Sequence, residues 1–252
     1  MPISSSTSST LRNGSSTASS ACGATARRST SGWADVAHRR VIVWRHGRTA
    51  WNVAGRVQGQ SDVPLDEVGR AQAKEAAGYL AALAPSRIVS SDLKRAASTA
   101  AALGEVAGLP VELDRRFREM DFGAREGLTW PQAWDRMPEA MQAWVDGDET
   151  KVPGSETHRQ AGDRFADALR DTLDSIGRDQ TLVVVAHGAV IRTGVSSFLD
   201  LPESSWRTLG GMANCNWSVL EESRYRDWSE WRLAEWNTGS LPEPVLSDDE
   251  EA

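Results

Sequence analysis

Two histidines stand at the ends of apolar runs, and both are followed by glycine. Val41-Ile42-Val43-Trp44 leads into Arg45-His46-Gly47, and Leu182-Val183-Val184-Val185-Ala186 leads into His187-Gly188. Phosphoryl transfer needs a nucleophile, fixed positive charge for the phosphate oxygens and a proton source for the leaving alcohol. His46 supplies an imidazole, nucleophilic when neutral and with an ordinary pKa of about 6.5. Arg45 is adjacent to it, and Ser90-Ser91-Asp92-Leu93-Lys94-Arg95 places Arg95 in the first turn of a predicted helix directly after a strand. There a guanidinium fork and helix-terminal N–H groups can act on one anion. Arg118-Glu119-Met120-Asp121-Phe122-Gly123 offers Glu119 as proton donor, a carboxyl whose pKa burial and a nearby phosphate would raise, with Asp121 as the alternative acid.

These residues must be carried by an alternation of strands and helices. Strands are predicted over 40–44, 87–90, 109–113 and 181–186, with closing strands over 216–221 and 229–233. A helix capped by Asp66 follows the first strand, with Ala73, Ala76, Ala77, Leu80 and Leu83 on its covering face. Further helices are read over 92–106, over 130–145 with a break near Pro138, and over 189–199. Thr157 and Gln160 form a capping box before a helix of about five turns. The 130–145 segment carries Trp130, Trp134 and Trp144, readable as a lid, as a stacking face for substrate or as ordinary packing. Apolar strands separated by helices predict an α/β fold of three layers, a mainly parallel sheet covered by helices on both faces. In such sheets the functional crevice lies at the carboxyl ends of the strands, where both histidines fall.

Composition restricts the alternatives. With 252 residues and 40% hydrophobic content the chain can build one large core. A net charge of -7 and a pI near 5.2 exclude a generally basic face for nucleic acid or membrane, so any anion site is local. Two cysteines, Cys22 and Cys215, do not make a disulfide framework and point to a reducing, cytoplasmic compartment. His38, His46, His158 and His187 show no metal-ligand spacing, so neither metal nor cofactor is expected. His38 and His158 are read as surface groups, and Arg48, Arg56 and Lys94 as solvated charges on the rim. Residues 1–34 are rich in Ser and Thr, contain no acid and are read as a disordered tail. The segment 35–240 is the catalytic domain, and 241–252 an acidic tail.

The set Arg45-His46-Gly47 with Thr49 and Asn52, then Ser91, Leu93, Arg95, Ala96, Thr99 and Ala100, then Glu119 with Gly123, then His187-Gly188, resembles the histidine phosphatase superfamily. Four separated motifs occur in the order that family shows, over about residues 39–233. The resemblance implies a phosphoglycerate mutase-like fold and a phosphohistidine enzyme. In it His46 is the nucleophile, Glu119 the acid and then base, and Arg45, Asn52, Arg95 and His187-Gly188 the phosphate clamp, with Gln58-Gly59 lining the same pocket. Cofactor-dependent mutases of the family carry a longer insertion after the acid, whereas here Glu126-Gly127-Leu128-Thr129-Trp130 follows, which favours transfer to water.

Leu209 to Asn214, Trp217-Ser218 and Trp231-Arg232-Leu233 with Trp236-Asn237 resemble the actinobacterial glucosyl-3-phosphoglycerate phosphatases. That likeness implies a small phosphomonoester substrate, with homodimerisation left open. A broad-specificity or α-ribazole-type phosphatase, a mutase, and a module that binds phospholigands without turnover are the alternatives. Intact His46 and Glu119 argue against the last.

Overall fold

Val41, Ile42, Val43 and Trp44 are all fully buried, which only a strand covered on both faces achieves. They belong to β1 (Arg40–Arg45), which lies inside a six-stranded sheet. The computed structural model describes residues 38–223 and 230–239; the expected tails 1–34 and 241–252, and Cys22, lie outside the described residues. The remaining strands are β2 (Arg87–Ser90), β3 (Val111–Leu113), β4 (Thr181–Ala186), β5 (Trp217–Glu222) and β6 (Trp231–Thr238), in the order β3-β2-β4-β1-β5-β6. Pairings among β3, β2, β4 and β1 are parallel, and β5 and β6 add antiparallel at one edge. The sheet is therefore mainly parallel, as expected.

Alternate residues of the strands enter two separate cores, which makes the three layers. Ile42, Trp44, Val183 and Val185 meet Ala73, Ala76, Ala77 and Leu80 of α2 (Glu67–Ala81) and Ala96, Ala100 and Leu103 of α3 (Lys94–Ala107). Val41, Val43, Leu182 and Val184 meet Phe165 and Leu169 of α6 (His158–Leu173) and Val190, Ile191 and Val195 of α7 (Gly188–Phe198). The short helices are α1 (Ala50–Val53), α4 (Trp130–Arg136) and α5 (Pro138–Val145). Among the described residues no helix is long and apolar enough to cross a membrane.

Several boundaries differ from the sequence reading for local reasons. The helix expected from residue 92 starts at Lys94, because Leu93 is still extended and serves as its N-cap. Strand β3 loses Leu109 and Pro110, since proline has no N–H to give to a ladder. The second helix stops at Ala81, so Leu83 lies beyond it and is exposed. The capping box at Thr157 and Gln160 is present, but its helix ends at Leu173. The last strand runs on to Thr238, and Ser229 lies outside the described residues. His158 is not a surface group: its side chain is only 13% exposed, its Nδ1 hydrogen-bonds Glu149, and its ring lies 6.2 Å from that of Trp144. Trp130 packs edge-to-face against both Trp134 and Trp144, and Trp130 and Trp134 lie against a small cluster of Leu128, Ala133 and Met141, which is the packing reading.

The loop after β1 is seated on α2 by a close backbone approach. A Cβ on Gly47 would lie 2.4 Å from the Gly69 carbonyl oxygen, and one on Gly69 would lie 2.0 Å from the Arg48 carbonyl oxygen. Gly69→Ala must push the two segments apart, and overpacking of this kind costs about 1–3 kcal/mol. Urea unfolding should show that loss; an unchanged midpoint would mean the segments are not in contact in solution.

Candidate active site

Strands β1 and β4 are neighbours, parallel, and paired so that Arg45 lies opposite Ala186. The residue after each is a histidine, so His46 and His187 leave the sheet side by side, with ring centroids 5.1 Å apart. The His46 N–H still donates to the Ala186 carbonyl at 3.0 Å. Strand β2 ends at the same level on the other side of β4, and the Ser91 N–H donates to the Val185 carbonyl at 2.9 Å.

The partners of the two rings decide their protonation. His46 Nδ1 lies 2.7 Å from the Gly47 carbonyl oxygen, which can only accept, so Nδ1 carries the proton and Nε2 keeps its lone pair. In His187 the order is reversed. Arg95 Nε donates to His187 Nδ1 at 3.1 Å, so the proton sits on Nε2, which donates to Ser91 Oγ at 2.8 Å. Burial, then the charges of Arg95 and Arg45, hold the pKa of His46 well below its ordinary value, and burial and Arg95 do the same to His187. Both imidazoles are neutral at pH 7.

Both arginines donate to backbone carbonyls. Arg95 is fully buried, and its Nη1 and Nη2 donate to the carbonyls of Ser61 at 2.7 Å and Gly59 at 2.6 Å. Burial lowers its pKa to about 10, which leaves it charged at neutral pH. Arg45 is 3% exposed and donates from Nη1 to the Met212 carbonyl. Gly188 lies against it, since a Cβ there would be 3.3 Å from Arg45 Cζ. A neutral carbonyl does not itself cancel a guanidinium's charge, so these bonds leave that charge able to act on an anion.

Glu119 reaches the first turn of α7. Its Oε1 accepts from the Met120 and Val190 N–H groups at 2.9 and 2.8 Å, and its Oε2 from that of Ala189 at 3.2 Å. Burial raises its pKa, while those N–H groups and Arg95 oppose the rise. The result is a carboxyl that can both hold and release a proton. Asp121, the alternative acid, instead accepts from the Gly123 N–H at 2.9 Å and shapes its own turn. Among the described residues no group of three or more His, Cys, Asp or Glu side chains could hold a metal ion.

Of the other residues singled out in the sequence, Asn52, Gln58 and Gly59 bond to Thr49 or to Arg95. Asn52 closes the capping box of α1, and its Oδ1 accepts from the Thr49 N–H at 3.1 Å. Gln58 Oε1 lies 3.0 Å from Thr49 Oγ1. Gly59 has φ of +50° and contributes its carbonyl to Arg95. Arg48, Arg56 and Lys94 stay outside the cluster, but each is tied down, to Asp66, to the Gly127 carbonyl and to Asp62.

Four contributors carried no role in the sequence reading. Ser91 fixes the His187 proton. Thr99 Oγ1 accepts from the Gly47 N–H at 3.1 Å and donates to the Arg95 carbonyl at 2.7 Å. Asn214 Nδ2 donates to the His46 carbonyl at 3.1 Å. Glu126 accepts from the N–H groups of Gln60 and Ser61 at 2.8 and 2.9 Å, and so holds the turn that holds Arg95. Thr99, Asn214 and Glu126 stood within the stretches quoted from the sequence, and only Thr99, a hydroxyl four residues after Arg95 in an alanine-rich helix, carried a sign of its bond.

The family model of the histidine phosphatase superfamily, branch 1, matches residues 41–239. The chain belongs to this superfamily. A glucosyl-3-phosphoglycerate phosphatase of Mycolicibacterium vanbaalenii is 37% identical over 215 residues, 80% of this chain and 96% of that protein. A mycobacterial glucosyl-3-phosphoglycerate phosphatase solved in complex with VO3 superposes with a TM-score of 0.73 at 39% identity, covering 80% of this chain and all of the other. A probable phosphoglycerate mutase of Salmonella paratyphi C is 32% identical, covering 78% of this chain and 89% of its own. The expected superfamily and mutase-like fold are both borne out.

The neutral, buried histidines have a measurable consequence. Below pH 6.5 an unfolded chain protonates both residues while the folded chain does not, so stability present above pH 6.5 is lost as the pH falls toward the depressed folded values. Glu119 acts oppositely, losing stability as pH rises from 4.5 toward its raised value. Urea unfolding should thus show lower stability at pH 5.5 than at 7.5. Nitrogen-15 NMR at pH 6 should find His46 neutral with its proton on Nδ1 and His187 neutral with its proton on Nε2. An imidazolium signal from either would contradict this assignment.

Proposed function

We propose that the protein hydrolyses a phosphomonoester through a phosphohistidine at His46. The observation that carries this reading is the lone pair on His46 Nε2, in a buried neutral ring flanked by the charges of Arg45 and Arg95. In the first step Nε2 attacks phosphorus, the bond from phosphorus to the ester oxygen breaks, and Glu119 protonates the departing alkoxide. In the second, Glu119 as carboxylate takes a proton from water, the resulting hydroxide attacks phosphorus, and the bond from nitrogen to phosphorus breaks, which restores the neutral ring. Arg45 and Arg95 offset the charge on the equatorial oxygens in both steps, aided by Asn52, Gln58 and the N-terminal turn of α7 at Gly188. His187, held between Arg95 and Ser91, keeps the Arg95 fork in its plane and is the second ring facing the phosphate.

Glucosyl-3-phosphoglycerate is the substrate this reading favours, because the relatives that share 37–39% identity across 96% of their own length carry that activity in their names. A small anionic substrate also suits a site where two buried arginines stand beside the His46 ring. A chain with only two cysteines agrees with a cytoplasmic setting.

Phosphate release should be compared across glucosyl-3-phosphoglycerate, 3-phosphoglycerate, α-ribazole phosphate and a generic aryl phosphate, with and without a chelator. The first should be turned over fastest, and the chelator should change nothing. Activity toward all four at similar kcat/KM would replace the specific substrate with a broad one. His46→Ala should abolish turnover, and alkaline quenching of the unsubstituted protein should trap phosphate on His46; turnover surviving in His46→Ala would end the reading. Glu119→Gln should lower kcat/KM for alkyl phosphates by about 10²–10⁴ and for activated aryl phosphates far less, because only the former need the donated proton.

A further inference from the structure

Between the 3-10 turns at Arg115–Phe117 and Gly123–Arg125 the chain carrying Glu119 belongs to no helix or strand. Its backbone groups must find partners elsewhere, and those on either side of Glu119 find the side chains of Arg164 and Glu156. Arg164, on α6, donates from Nη1 to the carbonyls of Arg116 at 2.7 Å and Arg118 at 3.0 Å, and from Nη2 to that of Glu119 at 3.3 Å. Its Nε and Nη2 also donate to the two carboxylate oxygens of Glu156, at 2.9 and 2.7 Å. These five bonds match the five N–H groups of a guanidinium. Glu156 in turn accepts from the Asp121 N–H at 2.9 Å and donates its own N–H to the Asp121 carbonyl at 2.8 Å. One residue along the same helix, Phe165 meets Phe117 edge-on at 5.1 Å, which seats the loop against α6 without fixing where along it the loop stops.

From this geometry we infer that Arg164, backed by Glu156, is a positioning residue for the proton donor. It locks the backbone of the acid loop so that the Glu119 carboxyl meets the first turn of α7. The side chain of Glu119 is held on one side by α7 and its backbone on the other by α6, so the carboxyl has little freedom to drift. Lysine substitutes only in part, since an ammonium presents three donors at one point instead of five spread over a plane. The inference rests on the catalytic reading above. It adds a residue that touches neither the phosphate clamp nor the nucleophile.

The test is leaving-group discrimination in kcat/KM, which reports phosphoryl transfer to His46. In Arg164→Met, a misplacement on the order of 1 Å should lower kcat/KM for an alkyl phosphate such as glycerol phosphate by about 10–100-fold. For 2,4-dinitrophenyl phosphate, whose leaving group needs no proton, the change should stay within about threefold. Arg164→Lys and Glu156→Gln should fall between, in the same direction, and they serve if Arg164→Met does not fold. Equal slowing of both substrates in these variants, or no slowing of either in a folded variant, would overturn the inference. Trapping phosphate on His46 in the unsubstituted protein separates the two claims. With the adduct present and no discrimination in the variants, only the positioning role fails; with no adduct, the catalytic reading itself fails.

Discussion

A pair of parallel strands that stop at the same level is the constraint on which the site depends. Because β1 and β4 pair with Arg45 opposite Ala186, the next residue of each strand is presented at one place, and that residue is histidine in both. A shift of one position in this pairing would turn the side chains of a strand to the other face of the sheet and part the rings. The register is fixed by burial on both faces, where alternate residues of each strand enter different cores. The same hydrophobic burial that stabilises the sheet therefore sets the distance between the two imidazoles.

Once the rings are buried, electrostatics follow from how the neighbouring cations are satisfied. Arg45 and Arg95 donate to loop carbonyls, neutral acceptors that do not themselves cancel a charge. Desolvation, and after it that charge, keeps both imidazoles neutral and gives His46 its available lone pair. Arg87, Arg116 and Arg118, by contrast, are paired with the carboxylates of Glu112, Asp114 and Asp92. The distinction lies in the acceptor, not in the arginine. Arg164 combines both habits, one carboxylate and three carbonyls, which suits a group that fixes backbone position.

The site is also layered in its dependence on loops. Glu126 holds the turn 59–61, that turn holds Arg95, and Arg95 holds His187, whose remaining nitrogen is held by Ser91. Each link is a hydrogen bond between segments distant in the chain and almost without exposed surface at the inner end. Such chains are costly to leave half satisfied, so a change at an outer member propagates to the centre.

The sequence by itself determined the elements and the chemical inventory. Apolar runs ending in histidine, the Asp66 cap, the Thr157-Gln160 box and the alternation of strand with helix were all legible, because they depend on periodicity and on side-chain bonds to nearby backbone. That His46, the two arginines and Glu119 come together was legible because few residue types can serve phosphoryl transfer. Strand ends, the ordinary packing of the tryptophans and the burial of His158 against Glu149 and Trp144 were not, since they depend on what a segment meets across space. Only the tertiary structure decided which imidazole nitrogen carries each proton, which of Glu119 and Asp121 reaches α7, and that Ser91, Thr99, Asn214, Glu126 and Arg164 support the site. Those choices are made by carbonyls and N–H groups brought from loops many residues away, and a backbone group leaves no mark in the sequence of where it will point.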